Sequence, residues 1–297
     1  MIEVKNVVKE FDGFRALDGL NMTVPRASVY GLVGPNGAGK STIIRHLTGI
    51  YRQDSGDILI DGENVYENPS VKKRIAYIPD DIFYFPSASI SEMANFYRSI
   101  YPQFDNERFK KLGDLFELNP KRQMRKLSKG MQKQAAFWLM MSLKPEILIL
   151  DEPVDGLDPV MRRQIWSVVM SDVAEHETTV LVSSHNLREL EDVCDHVGIM
   201  NKGKLMIERS LSELQEGIVK MQIALPDGET LPDGLDILHS ASTGRLQTII
   251  LHGTPAQLEE KLAPCKPLFT DFVPLTLEEI FIYELGGADY EVKDITL

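Results

Sequence analysis

Apolar positions along the chain fall into short runs, punctuated by turns and one long helical stretch. Residues 2–8 alternate in part and predict a strand, and residues 19–25 predict a second one ended by Pro25. The turn Phe11-Asp12-Gly13-Phe14 lies between them. Ser28-Val29-Tyr30-Gly31-Leu32-Val33 is apolar nearly throughout and stops at Gly34, which suits a strand buried in a parallel sheet. Ser41 to Leu47 predicts a helix. Residues 56–61, 74–78, 146–150 and Thr178 to Ser183 predict further strands, and 160–175 a helix. From about 88 to 140 the pattern is mostly helical, with breaks at Pro102 and Pro120. Strands alternating with helices predict an α/β fold with a mainly parallel sheet, interrupted by a helical insert.

After about residue 216 the character changes. Glycine, proline and short strands recur at Val219 to Leu225, Leu246 to Leu251 and Leu268 to Val273, with short helices near 255–262 and 276–285. The pattern predicts two domains: residues 1–215, with the helical subdomain at about 88–140, and a small α/β domain over 216–297. That second domain carries no legible chemistry.

Bulk properties narrow the function classes. A net charge of −12 repels nucleic acid phosphates, which disfavours a large DNA or RNA interface. The basic clusters Lys72-Lys73-Arg74 and Lys121 to Lys126 read as solvated faces. Cys194 and Cys265 show no metal-ligand spacing and suit a reducing, cytoplasmic setting. The segment from Met1 to Lys5 lacks the build of a signal peptide. The apolar run Ala135 to Leu143 falls well short of the ~20 residues a membrane helix needs, so the chain is expected not to cross a membrane by itself.

The strand ending at Val33 runs into Gly34-Pro35-Asn36-Gly37-Ala38-Gly39-Lys40-Ser41-Thr42, and a helix follows. Backbone N–H groups of such a loop point inward and cradle phosphate oxygens, aided by the helix N-terminus. Glycine at 34, 37 and 39 removes Cβ atoms where the backbone must approach the ligand. Lys40 supplies a charge for β- and γ-phosphates, Ser41 a hydroxyl for Mg²⁺, and Thr42 a hydrogen bond to phosphate. A second constellation is Ile147-Leu148-Ile149-Leu150-Asp151-Glu152. Its buried strand delivers two carboxylates at the C-terminal edge, where open α/β sheets bind ligands. Asp151 suits Mg²⁺, directly or through water. Glu152 is placed to act as general base on an attacking water. Taken alone, adjacent carboxylates after a strand are also common turn residues.

The third constellation, Leu127-Ser128-Lys129-Gly130-Met131-Gln132, reads locally as a helix start capped by Ser128, which is also an anion site. The string resembles the LSGGQ signature of ABC-type ATPases, with Lys129 and Met131 as departures. The resemblance covers most of residues 1–215. It implies a P-loop NTPase fold with an antiparallel β portion at the N-terminus, and ATP and Mg²⁺ as cofactors. It also implies two subunits packed head to tail, so that Ser128 and Gly130 face the γ-phosphate held by the partner. Phe11 takes the place of the aromatic that stacks on adenine, with Phe14 a possible substitute. Asp155-Gly156-Leu157-Asp158 looks like the loop that crosses the dimer interface, with Asp158 as communicator. His185, after Val182-Ser183-Ser184, matches the switch histidine that contacts γ-phosphate. The family's metal-side glutamine after Tyr77-Ile78-Pro79 is replaced by Asp80, a shorter, charged oxygen ligand; Asp81 lies beside it.

The large apolar residues of Ile82-Phe83-Tyr84-Phe85-Pro86 are poor candidates for a solvated loop. In the family this region forms a groove for a short helix of a membrane subunit; packing within the insert is the alternative. The resemblance thus implies the ATP-hydrolysing subunit of a transporter. Its partners would be a second ATPase subunit, identical or paralogous, and transmembrane permease subunits that hold it on the inner face of the cell membrane. The ending Leu275 to Phe281 resembles ATPases of ABC-2, exporter-like systems, and the whole chain is similar to Ytr-type transporter ATPases. A soluble ABC ATPase acting on nucleic acid or the ribosome is the alternative. It would call for a long coiled-coil or zinc insert, or for two nucleotide domains in one chain. A P-loop kinase would need neither the signature string nor the histidine.

Overall fold

The computed structural model describes residues 1–284 apart from 216, 227, 228 and 233. The chain divides into two compact units, Met1–Glu208 and Arg209–Leu297, a division slightly ahead of the 215/216 boundary expected from the sequence pattern. Residue 285 of the helix expected over 276–285, and the tail to 297, lie outside the described residues.

The first unit opens with β1 (Ile2–Phe11) and β2 (Phe14–Val24), then β3 (Val29–Val33), α1 (Lys40–Leu47), β4 (Ser55–Ile60), β5 (Glu63–Asn64), α2 (Pro69–Lys72) and β6 (Ile75–Ile78). Three helices follow: α3 (Ile90–Ile100), α4 (Asn106–Phe116) and α5 (Lys129–Met141). The chain continues through β7 (Ile147–Asp151), α6 (Pro159–His176), β8 (Thr179–Ser184), β9 (His196–Asn201) and β10 (Lys204–Ser210). Two sheets result. One is antiparallel, in the order β2-β1-β4-β5. The other is six-stranded, in the order β10-β9-β3-β8-β7-β6, with β9, β3, β8, β7 and β6 parallel.

Every residue of β3, β7 and β8 is buried, as expected for strands covered on both faces. Their apolar side chains cluster with those of β1, β2 and α1: Leu17, Leu20, Tyr30, Leu32, Ile44 and Leu181 all belong to one core. This packing fixes the C-terminal ends of β3, β7 and β8 side by side, because β3 pairs with β8 and β8 with β7 in register, Val33 opposite Ser184 and Asp151 opposite Ser183.

Local signals start the helices. Ser89 and Glu92 form a reciprocal capping box on α3, Asp105 caps α4, Ser128 caps α5, and Asp158 caps α6 ahead of Pro159 at its first position. In the insert, Trp138 of α5 stacks on Phe109 of α4 at 4.7 Å between ring centroids. Its indole N–H donates to the Phe109 carbonyl at 2.6 Å. Gly113 is required by this contact, since a Cβ there would lie 2.5 Å from the Trp138 ring.

Arg108 of α4 pairs with the buried carboxylate of Asp172 on α6. Burial raises the Asp172 carboxyl above its ordinary value, although Arg108 pulls it down. Removing the cation strands a buried acid, so Arg108→Leu should lower unfolding free energy by about 3 kcal/mol. Chemical denaturation of the variant measures this, and a loss under about 1 kcal/mol would show that the pair does not brace the insert.

The second unit contains α7 (Leu211–Gln215), β11 (Ile218–Ala224), β12 (Ile237–Thr243), β13 (Leu246–His252), α8 (Pro255–Leu262), β14 (Phe269–Val273) and α9 (Leu277–Glu284). Its strands form an antiparallel sheet in the order β12-β13-β11-β14. Val219, Met221 and Ile223 of β11 pack with Leu258 and Leu262 of α8. Lys220, pointing to the opposite face of β11, pairs with Glu279 of α9 at 2.6 Å. Among the described residues of the whole chain, no helix is long and apolar enough to cross a membrane.

Candidate functional site

The site is assembled at the C-terminal edge of the parallel strands. The loop between β3 and α1 turns through Gly37 and Gly39, both with positive φ (82° and 107°). Gly34 sits so close to the neighbouring strand that a Cβ would lie 2.3 Å from the Met200 carbonyl oxygen. A side chain at 34 would therefore push the loop off the sheet. Lys40 begins α1 with a buried side chain, and its ammonium donates to the Gly34 carbonyl at 2.6 Å and the Pro35 carbonyl at 3.4 Å. The same ammonium lies 3.7 Å from Glu152 Oε1.

The carboxylates arrive on the adjoining strand. Asp151 is buried, and its Oδ1 accepts from Ser183 Oγ at 2.6 Å and from Ser41 Oγ at 3.3 Å. Glu152 takes φ 47°, a left-handed conformation that costs a residue with a Cβ about 1 kcal/mol or more. Its backbone N–H is held by the Ser183 carbonyl at 3.3 Å and the Ser183 hydroxyl at 3.2 Å. The side chain turns the other way, with Oε2 at 2.9 Å from Nδ1 of His185. Glu152 thus stands between an ammonium and an imidazole, with His185 itself exposed. Burial, reinforced by the charge of Asp151, pushes the Tyr77 phenol up to about 12, so Tyr77 adds no further negative charge.

The oxygens suit a hard cation. Ser41 Oγ and Asp151 Oδ1 lie within 3.3 Å of each other, one on an exposed residue at the start of α1. Among the described residues no cluster of three or more His, Cys, Asp or Glu forms a closed metal cage. Mg²⁺ needs no such cage, because it is held by one or two protein oxygens together with substrate phosphates and water.

Lys40, Ser41, Asp151, Glu152 and His185 are thus joined by contacts in one place. Asp80 joins this cluster through Lys133, which also holds the Glu152 carbonyl, and the other expected residues have different partners. Asp80 Oδ1 is 3.3 Å from Nζ of Lys133. Ser128 is exposed, and its hydroxyl accepts from Met131 N–H at 3.3 Å as the α5 cap. Gly130 lies near Leu157 and Gly156. Asp158 uses one carboxylate oxygen to cap α6, accepting from Val160 and Met161 N–H at 3.0 Å each. Phe11 and Phe14 face each other across the β1–β2 turn, and Phe11 packs edge-on against Tyr51 at 5.5 Å. Two residues that sequence reading passed over belong to the site: Ser183, which fixes Asp151 and the Glu152 backbone, and Lys133. The available signals were a hydroxyl at the end of an apolar strand and a lysine just ahead of the apolar run Ala135 to Leu143.

A family model described as ABC transporter matches residues 17–155. The ABC transporter ATP-binding protein YtrB of Bacillus subtilis (strain 168) is 31% identical over 290 residues, 97% of this chain and 99% of that protein. The chain belongs to the ABC transporter ATP-binding proteins. As an ABC ATPase subunit it binds and hydrolyses ATP. The bacitracin transport ATP-binding protein BcrA of Bacillus licheniformis is 32% identical over 97% of this chain and 98% of its own length. Among solved structures, an ATP-binding subunit of an ABC transporter superposes with a TM-score of 0.68 at 25% identity, covering 72% of this chain and 92% of that one. The ABC ATPase fold expected from the sequence, with its parallel core, antiparallel N-terminal sheet and helical insert, is therefore the fold of the chain.

Proposed function

We propose that this ATPase works as a pair. Two subunits close around two ATP molecules, each nucleotide lying between the phosphate loop of one chain and the start of α5 in the other. The partner is a second copy of this chain. In each site the loop 34–42 wraps the phosphates and Lys40 neutralises the β- and γ-oxygens. Phe11 stacks on adenine. Ser41 and Asp151 would hold Mg²⁺, whose charge would offset that of the phosphates, while Asp80 is engaged by Lys133. Glu152 takes the proton of the attacking water, and His185 contacts the γ-phosphate while orienting Glu152. Asp158 communicates between the two sites.

The observation that carries the shared site is the state of α5. Ser128 and Lys129, at its N-terminus, are exposed. A Cβ on Gly130 would meet its nearest atom, Leu157 Cδ2, at an ordinary 3.5 Å. Packing within this chain therefore does not demand glycine at 130, whereas close approach of a phosphate from outside would. An exposed helix N-terminus can receive an anion held by another chain.

The motion is passed to permease subunits through the loop after β6. Phe83 is 71% exposed, and its ring leads through Phe85 and Phe96 in a ladder of edge-on contacts 5.0–5.8 Å apart. Beside it opens a cavity of about 390 Å³, lined by Ile50, Ile82, Phe83, Met93, Tyr97 and Met140 among others. An apolar groove of this kind fits the apolar face of a short helix. Gln132 links the loop to α5, donating to the Tyr84 hydroxyl at 3.4 Å and the Leu127 carbonyl at 3.1 Å. A helix seated in the groove would therefore feel movements of the signature segment. Docked in this way, the subunit sits peripherally on the inner face of the membrane.

The test is co-purification from membranes with the multi-span proteins encoded beside its gene. The unmodified chain should bring them down, and Phe83→Asp should lose at least about 90% of them while binding ATP normally, the effect expected when a buried contact is replaced by a charge. Equal recovery with the variant would remove the groove from the account.

A further inference from the structure

We propose that Lys133 is a positioning residue for hydrolysis: one buried ammonium that ties the loop after β6 to two points of the β7–α6 loop and balances the charge of Asp80. The inference rests on the reading of Glu152 as the general base. Lys133 lies on the first turns of α5, three residues after Gly130, and is only 7% exposed. Its Nζ is 3.3 Å from Asp80 Oδ1, 2.8 Å from the Glu152 carbonyl oxygen and 3.0 Å from the Asp155 carbonyl oxygen. An ammonium has three N–H donors, so these three partners use all of them.

Each partner belongs to a different working part. The Glu152 carbonyl belongs to the residue whose left-handed backbone aims the candidate base. The Asp155 carbonyl lies in the loop that ends at the α6 cap, Asp158. Asp80 follows β6 and leads into Phe83. Lys133 therefore connects the helix that begins at Ser128 to the base, to the interface loop and to the loop facing the groove.

Charge makes the lysine specific to this chain's aspartate. Asp80 adds a carboxylate to a region that already holds Asp151 and Glu152 and that must receive the phosphates of ATP. Lys133 is the cation this carboxylate touches. The side chain of Lys133 is 9% exposed and that of Asp80 is 62% exposed. The cation is therefore the fixed end of the pair and the carboxylate the movable one. Without the ammonium, the Asp80 carboxylate is left uncompensated beside the Glu152 loop, and the backbone that aims Glu152 loses a donor.

The test measures steady-state ATPase activity of the full-length chain, together with equilibrium binding of a fluorescent, non-hydrolysable ATP analogue. Lys133→Met should lower kcat about tenfold or more, with the KM for ATP and analogue affinity changed less than about threefold. Asp80→Asn in the same chain should restore at least about threefold of the loss, because it removes the unbalanced charge. A purely structural lysine would instead lower stability and binding together and would gain nothing from Asp80→Asn. Where Lys133→Met does not fold, Lys133→Gln keeps an N–H donor but no charge, and the same loss of kcat and the same rescue are expected. Turnover within about twofold of wild type in a neutral variant, or a double variant that is merely additive, overturns the proposal. Full activity of Glu152→Gln would instead sink the assignment of the base, whatever Lys133 does.

Discussion

Glu152→Gln is expected to stop ATP turnover, lowering kcat by about 10²–10⁴-fold, while ATP still binds. The amide has the shape of the carboxylate and keeps its place between Lys40 and His185, whose groups lie 3.7 Å and 2.9 Å from the two carboxylate oxygens. It cannot take up a proton from water. It also removes one negative charge from a region that must hold ATP phosphates, so affinity for ATP should hold or rise. The left-handed backbone at Glu152 is maintained by Ser183, whose carbonyl and hydroxyl grip the amide N–H, so the substitution leaves the loop in place. Single-turnover and steady-state ATPase assays check this. Turnover unchanged within about twofold would remove Glu152 from the role of base.

Ser128→Arg is expected to reduce hydrolysis at least about 100-fold, with ATP affinity of the same chain within about threefold of wild type. The hydroxyl at 128 caps α5 through Met131 N–H, and losing such a cap costs about 1 kcal/mol. Because Ser128 is exposed, the arginine meets solvent and the chain still folds. The phosphate loop, Asp151 and Glu152 make their contacts without Ser128, so a chain alone should bind nucleotide as before. In the closed pair the arginine would occupy the space of the partner's γ-phosphate. Loss of ATP binding in the variant would mean that Ser128 serves its own chain's nucleotide, and the shared site would fall.

The parts of this site that were legible share a physical property: their chemistry sits at a discontinuity in the hydrophobic pattern. β3 is an apolar run that ends on glycines, and β7 is an apolar run that ends on two carboxylates. Where such a run stops, the strand leaves the core and the next residues stand at the sheet edge. The signature segment was visible because a cap residue precedes, and a glycine lies in the first turn of, a helix that is buried from Lys133 onward.

The rest depended on tertiary neighbours. β9 and β10 went unread: β9 owes its place to parallel pairing with β3, a partner far away in the chain. β12 is exposed at nearly every position, so burial left no alternation in its sequence. In the Ile82–Pro86 segment, apolar character argued against solvent, yet Phe83 stands in it. The Lys133–Asp80 pair spans 53 positions, and no spacing rule connects a helical lysine to an aspartate in a distant loop. Ser183 became meaningful only when β8 was seen to lie against β7 in register with Asp151.

The central claim is that the phosphate loop holds half of a site and α5 of a partner chain holds the other half. Light scattering on the Glu152→Gln chain with Mg²⁺ and ATP tests it most directly. The predicted result is a monomer without nucleotide, a dimer of about twice that mass with ATP, and a monomer again with ATP still bound once Ser128→Arg is added to the same chain. An ATP-saturated Glu152→Gln chain that stays monomeric, or a dimer indifferent to Ser128→Arg, would contradict it.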